Sequence, residues 1–80
     1  MQNIVNLAVL KPGERVKISH LDTILLPAKF YELGFIPGST VEIQHKAPLN
    51  GPICVHILDM DSLIAIRKSE AQLIFAEKLS

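Results

Sequence analysis

Cys54 and His56 are the residues best suited to chemistry in this sequence. They stand two apart in the alternation Ile53-Cys54-Val55-His56-Ile57, so on a strand both side chains leave the same face. An earlier alternation, Val41-Glu42-Ile43-Gln44, matches it when Val41 and Ile43 join Val55 and Ile57 in the core. Glu42 and Gln44 then share the outer face with Cys54 and His56. A thiolate, an imidazole and a carboxylate together suit a divalent transition ion such as Fe(II) or Zn(II). The plainer reading is a half-buried cysteine and a surface histidine beside a glutamate, and it is preferred.

Covalent or acid–base catalysis has less to stand on. No glycine-rich loop is present to cradle phosphates. Asp59 and Asp61 fall in an expected turn, which explains the pair better than acid catalysis does. The hydroxyls of Ser19, Ser39, Ser62, Ser69 and Ser80 show no linked histidine and acid. His20 and His45 read as loop-end or rim residues. The expectation is a protein that is not an enzyme.

Composition sets the frame. Eighty residues make one domain, 1–80, with a small core. The aromatic residues are Phe30, Tyr31, Phe35 and Phe75, so aliphatic side chains must do most of the packing. Eight basic and eight acidic residues cancel, which argues against nucleic acid and against attachment to anionic lipid by charge. With one cysteine there is no intrachain disulfide and no zinc ribbon. Apolar runs too short to span a bilayer and the lack of a basic-then-apolar leader imply a cytoplasmic setting.

The elements that position these residues are mostly strands. Met1–Leu10 reads as a short strand and turn that pack Leu7 and Leu10 inward. Lys11-Pro12-Gly13-Glu14 is a turn, and Arg15–Ser19 alternates with Val16 and Ile18 inward. Asp22-Thr23 offers capping oxygens, but Pro27 is best tolerated at a first helical position, so a short helix is placed from Pro27 to Leu33. Its buried stripe is Phe30 and Leu33, and Gly34 supplies its left-handed end. Pro37-Gly38 is a turn into a strand over Thr40–His45. Two prolines, Pro48 and Pro52, enclose Asn50-Gly51 as the tip of a shaped loop, and Ile53–Leu58 returns antiparallel. A turn at Asp59–Ser62, a strand over Leu63–Ile66, a short helical turn capped by Ser69 and a strand over Leu73–Ala76 complete the chain. About five short strands with one short helix make a mainly β protein, a small barrel or meander whose closure removes exposed edges.

Three segments in order carry a resemblance: Leu33-Gly34-Phe35-Ile36-Pro37-Gly38, Ala47-Pro48-Leu49-Asn50-Gly51-Pro52-Ile53 and Ile64-Ala65-Ile66-Arg67-Lys68-Ser69-Glu70-Ala71. Together, over residues 7 to 77, they resemble the ferrous-iron transport protein A (FeoA) family. The pattern departs at Lys29, Phe30 and Tyr31, where the family has arginine and leucines. It departs at Asn50-Gly51, where Gly-Asp is usual, and at Asp61, where a glycine is usual and Asp is tolerated in the left-handed region.

The resemblance implies an SH3-like β-barrel. It also implies an accessory protein of ferrous-iron uptake that binds or regulates the cytosolic GTP-binding part of the FeoB transporter. It would be cytoplasmic and recruited to the membrane by that partner. The alternative is a metal-binding sensor or carrier related to the SH3-like domain of metal-dependent transcription regulators, with Cys54, His56 and Glu42 as ligands. The stand-alone reading is preferred because 80 residues leave no room for the regulators' other domains. Expected partner-binding residues are Pro48, Leu49 and Asn50 in the loop and Arg67 and Lys68 before the last helical turn. Leu49 either plugs the barrel end or is displayed. Homo-oligomer formation is left open.

Overall fold

A computed structural model describes residues 3–79. The expectations for Met1, Gln2 and Ser80 lie outside the described residues. Among these residues six strands form one antiparallel sheet: β1 Ile4–Asn6, β2 Arg15–Leu21, β3 Thr40–Lys46, β4 Ile53–Ile57, β5 Ser62–Ile66 and β6 Ile74–Lys78. A 3₁₀ turn, Leu7–Val9, follows β1; helices α1 (Lys29–Glu32) and α2 (Lys68–Ala71) precede β3 and β6. The strand order is β1-β6-β2-β3-β4-β5. The strand β2 pairs with both β3 and β6, which lets the sheet curl round a single core.

The alternation read from the sequence holds face by face. Val16, Ile18, Val41, Ile43, Ile53, Val55 and Ile57 are buried, while the residues between them reach the outer face. Leu7 and Leu10 are fully buried, as expected, with Phe30 and Phe35 the largest buried side chains. No buried side-chain polar atom among the described residues lacks a hydrogen-bond partner.

The end of α1 follows from Gly34. Its φ of +113° lets Gly34 N–H reach the Tyr31 carbonyl at 3.1 Å and Phe35 N–H reach the Phe30 carbonyl at 3.1 Å. Those two bonds are the Schellman pattern. The apolar contact that goes with it is Phe30 on Phe35, with ring centroids 5.9 Å apart. The Pro37-Gly38 turn closes with Ser39 N–H on the Ile36 carbonyl at 3.0 Å, and Gly38 takes φ +95°.

Three expectations are corrected. The first helix spans only Lys29–Glu32, shorter than the expected Pro27–Leu33, and Asp22 holds a separate turn before it, its Oδ1 accepting from Ile24 and Leu25 N–H, both at 2.9 Å. The helical hydrogen bonding restarts at Pro27, whose carbonyl accepts from Phe30 N–H at 3.2 Å. Ser69 does not cap α2, because it lies inside the helix; the Glu70 carboxylate reaches back to Arg67 N–H at 2.7 Å instead. The ladder does not close among the described residues, either: β1 and β5 each have one hydrogen-bonded neighbour there and stay as edges. The short strand read in the first ten residues is β1, and it pairs with β6.

The first turn is as expected. Lys11 N–H donates to the Glu14 carboxylate at 2.7 Å, and Lys78 Nζ lies 3.5 Å from its other oxygen. That backbone bond, more than the nearby lysines, holds the Glu14 carboxyl below its ordinary value.

Candidate partner-binding surface

The loop between β3 and β4 is a rigid reversal. Ala47 N–H bonds the Pro52 carbonyl at 3.0 Å at its base, and Gly51 N–H bonds the Pro48 carbonyl at 3.1 Å at its tip. The residues with positive φ are Leu49 at 58° and Asn50 at 60°. The reversal is therefore at Leu49-Asn50, one residue earlier than the Asn-Gly pair suggests. Gly51 is needed for another reason: a Cβ there would sit 2.8 Å from Ala47 Cβ and 3.1 Å from the Pro48 carbonyl oxygen.

Leu49 combines two unfavourable conditions. A leucine in the left-handed region costs about 1–2 kcal/mol, and its side chain gains nothing back by burial because it is 98% exposed. It is displayed and does not plug the barrel. Strained residues held by surrounding structure concentrate at binding sites.

The loop meets the start of α2. Lys68 Nζ donates to Asn50 Oδ1 at 2.9 Å, joining residues 18 apart in sequence. Asn50, Gly51, Pro52, Arg67, Lys68 and Ser69 line an open cleft of about 570 Å³. Four of the five residues expected to bind a partner, Leu49, Asn50, Arg67 and Lys68, thus belong to the loop tip or its cleft, and Pro48 carries the tip. The surface presents an apolar knob beside two cationic side chains, a chemistry that suits an apolar pocket with an acidic rim.

Glu42, Cys54 and His56 lie on the outer face, between the buried residues of β3 and β4. Gln44 is an extra residue in a bulge, so His45 rather than Gln44 stands opposite Cys54, while Glu42 stands opposite His56. Glu42 already accepts from Arg15 Nε at 2.7 Å and from Gln44 Nε2 at 3.0 Å. His56 Nε2 lies 2.8 Å from Asp61 Oδ1. Among the described residues no three His, Cys, Asp or Glu side chains are grouped to hold an ion. Cys54 is a free, half-buried thiol. Asp61 occupies its turn with φ 49°, and His20 stacks on Phe75 with centroids 4.8 Å apart.

One feature escaped the sequence reading. Ile24 is 90% exposed and Leu25 69%, at the tip of the turn that Asp22 holds. The available signal was an aliphatic pair, Ile24-Leu25, set between the turn residues Asp22-Thr23 and Pro27.

The model of the FeoA domain family matches residues 5–78. The chain is similar to an FeoA-like protein of Clostridium acetobutylicum, with 26% identity, a TM-score of 0.87, and coverage of 100% of this chain and 92% of that one. It is similar to iron(II) transport protein A of Clostridium thermocellum, with 37% identity, a TM-score of 0.83, and coverage of 94% and 46%. It is also similar to FeoA of Stenotrophomonas maltophilia complexed with zinc, with 25% identity, a TM-score of 0.75, and coverage of 90% and 88%. That protein is described as a prokaryotic SH3 domain protein and a candidate ferrous iron transport activating factor. Among curated proteins, no sequence matches.

Proposed function

The chain belongs to the FeoA domain family, and from that premise we propose that it is a non-catalytic accessory protein of ferrous-iron uptake. Acting as a single SH3-like domain in the cytoplasm, it binds the cytosolic GTP-binding part of a FeoB-type permease and is recruited to the membrane by it. Among the described residues no helix is long and apolar enough to cross a membrane. The observation that carries the binding surface is Leu49, strained and almost wholly exposed beside the Arg67 and Lys68 cleft. Pro48 and Pro52 restrict the loop before binding and so reduce the ordering cost of association. The test is calorimetry of the full chain against the permease's cytosolic domain loaded with GDP or a GTP analogue. Saturable binding in at least one nucleotide state is expected; its absence in both overturns the proposal.

A second reading is favoured by the zinc complex of the S. maltophilia relative. In it the chain is a metal sensor or carrier that uses Cys54, His56 and Glu42 for Fe(II) or Zn(II). The donor set does not fit well: Arg15 and Gln44 engage both oxygens of Glu42, and Asp61 engages His56. Titration with Zn(II) under reducing conditions is therefore expected to show no binding that depends on Cys54. Tight binding abolished by Cys54→Ser would restore this reading.

A further inference from the structure

Among the described residues, strand β5 is bonded to β4 on one side and to no strand on the other. Its sequence, Ser62-Leu63-Ile64-Ala65-Ile66, carries no charge and no proline, and its register with β4 has no bulge. Those are the devices that ordinarily keep an edge from pairing. Leu63 is 66% exposed on the outer face, two residues from the exposed Ala65.

We propose that β5 pairs antiparallel with β5 of a second copy of this chain, across a two-fold axis that joins the two sheets into one. Directly opposed residues in an antiparallel pair point to the same face, so outward Leu63 and Ala65 must meet outward residues. A slip of one residue would set Leu63 against the core-facing Ile64. The register that keeps the faces and uses the whole strand sets Ile64 opposite Ile64 of the second copy. Leu63 then faces Ala65, and Ser62 faces Ile66.

The charges just beyond the strand choose the same register. Asp61 falls opposite Arg67 of the second copy, and the two-fold repeats this at the other end. The Asp61 side chain is 91% exposed, and only its Oδ1 is engaged, by His56. Arg67 is exposed, and its backbone N–H, not its guanidinium, is used by Glu70. A slip of two residues takes Asp61 away from Arg67 and shortens the paired strand. The edge is thus complementary to itself in both shape and charge.

Sedimentation equilibrium of the full chain tests this. The dimer fraction is expected to rise with protein concentration and to fall with added salt, as exposed ion pairs are screened. Leu63→Lys, which leaves the Arg67 and Lys68 cleft intact, should give a folded monomer. Arg67→Glu should weaken the dimer about tenfold, since both ends change from attraction to repulsion. Asp61→Lys combined with Arg67→Glu should recover it, with circular dichroism confirming the fold of each variant. A wild type that stays monomeric at every concentration overturns the proposal. So does a dimer indifferent to both Leu63→Lys and Arg67→Glu, or a monomer that instead takes up an extended peptide on β5.

Discussion

Gly34→Val is expected to destabilise the protein by about 3 kcal/mol or more, the largest loss expected of any single substitution considered for this chain. Two independent effects add at this position. The backbone at φ +113° lies where a β-branched residue is strongly strained, and relaxing it would break the two hydrogen bonds that end α1. A Cβ would also sit 2.9 Å from Met60 Sδ and 3.0 Å from Ile57 Cγ2. Ile57 is fully buried and cannot retreat without opening the core, although the half-exposed Met60 can. Gly38 separates the two effects: its φ is +95°, but a Cβ there would have no neighbouring atom within 4 Å. Gly38→Val should therefore cost less, retaining the strain and losing the clash. For a domain of this size about 3 kcal/mol lowers the midpoint of thermal unfolding by roughly 12 °C or more. Equal midpoints for Gly34→Val and wild type would overturn this account of the helix end.

Leu49→Ser should do the reverse, leaving stability within about 0.5 kcal/mol of wild type while weakening partner binding. An exposure of 98% means that the folded protein loses almost no packing with this side chain. An interface that seats a leucine in an apolar pocket loses about 2 kcal/mol on its removal, which is about 30-fold in affinity. The measurement pairs thermal or urea unfolding with calorimetry against the permease domain. A large stability loss with affinity intact in the remaining folded protein would show that Leu49 supports the loop rather than the interface. Unchanged values in both would assign the contact elsewhere, with Ile24 and Leu25 the next exposed aliphatic pair.

Local sequence determined what neighbours within a few residues can decide. The strands at Arg15, Thr40 and Ile53 follow from strict alternation of apolar and polar side chains, because a pleated chain sends them to opposite faces. Gly34 and the Pro37-Gly38 turn follow from backbone conformations that glycine and proline make available. The loop and the basic pair at the start of α2 were legible as separate segments with turn and charge signals.

Only the tertiary structure decided how those pieces meet. Lys68 reaches Asn50 because β4 and β5 return the chain to the loop, a relation that no spacing in the sequence records. The tip turns at Leu49-Asn50, and Ala47 and Pro48 leave no room for a Cβ at residue 51, so Gly51 serves close approach instead of reversal. The bulge at Gln44 moved His45 opposite Cys54, since register depends on two strands at once and an extra residue in one shifts every pair beyond it. The open edge at β5 has the same origin: whether a strand has one neighbour or two is set by the order of the whole sheet, while its own five residues read alike in either place.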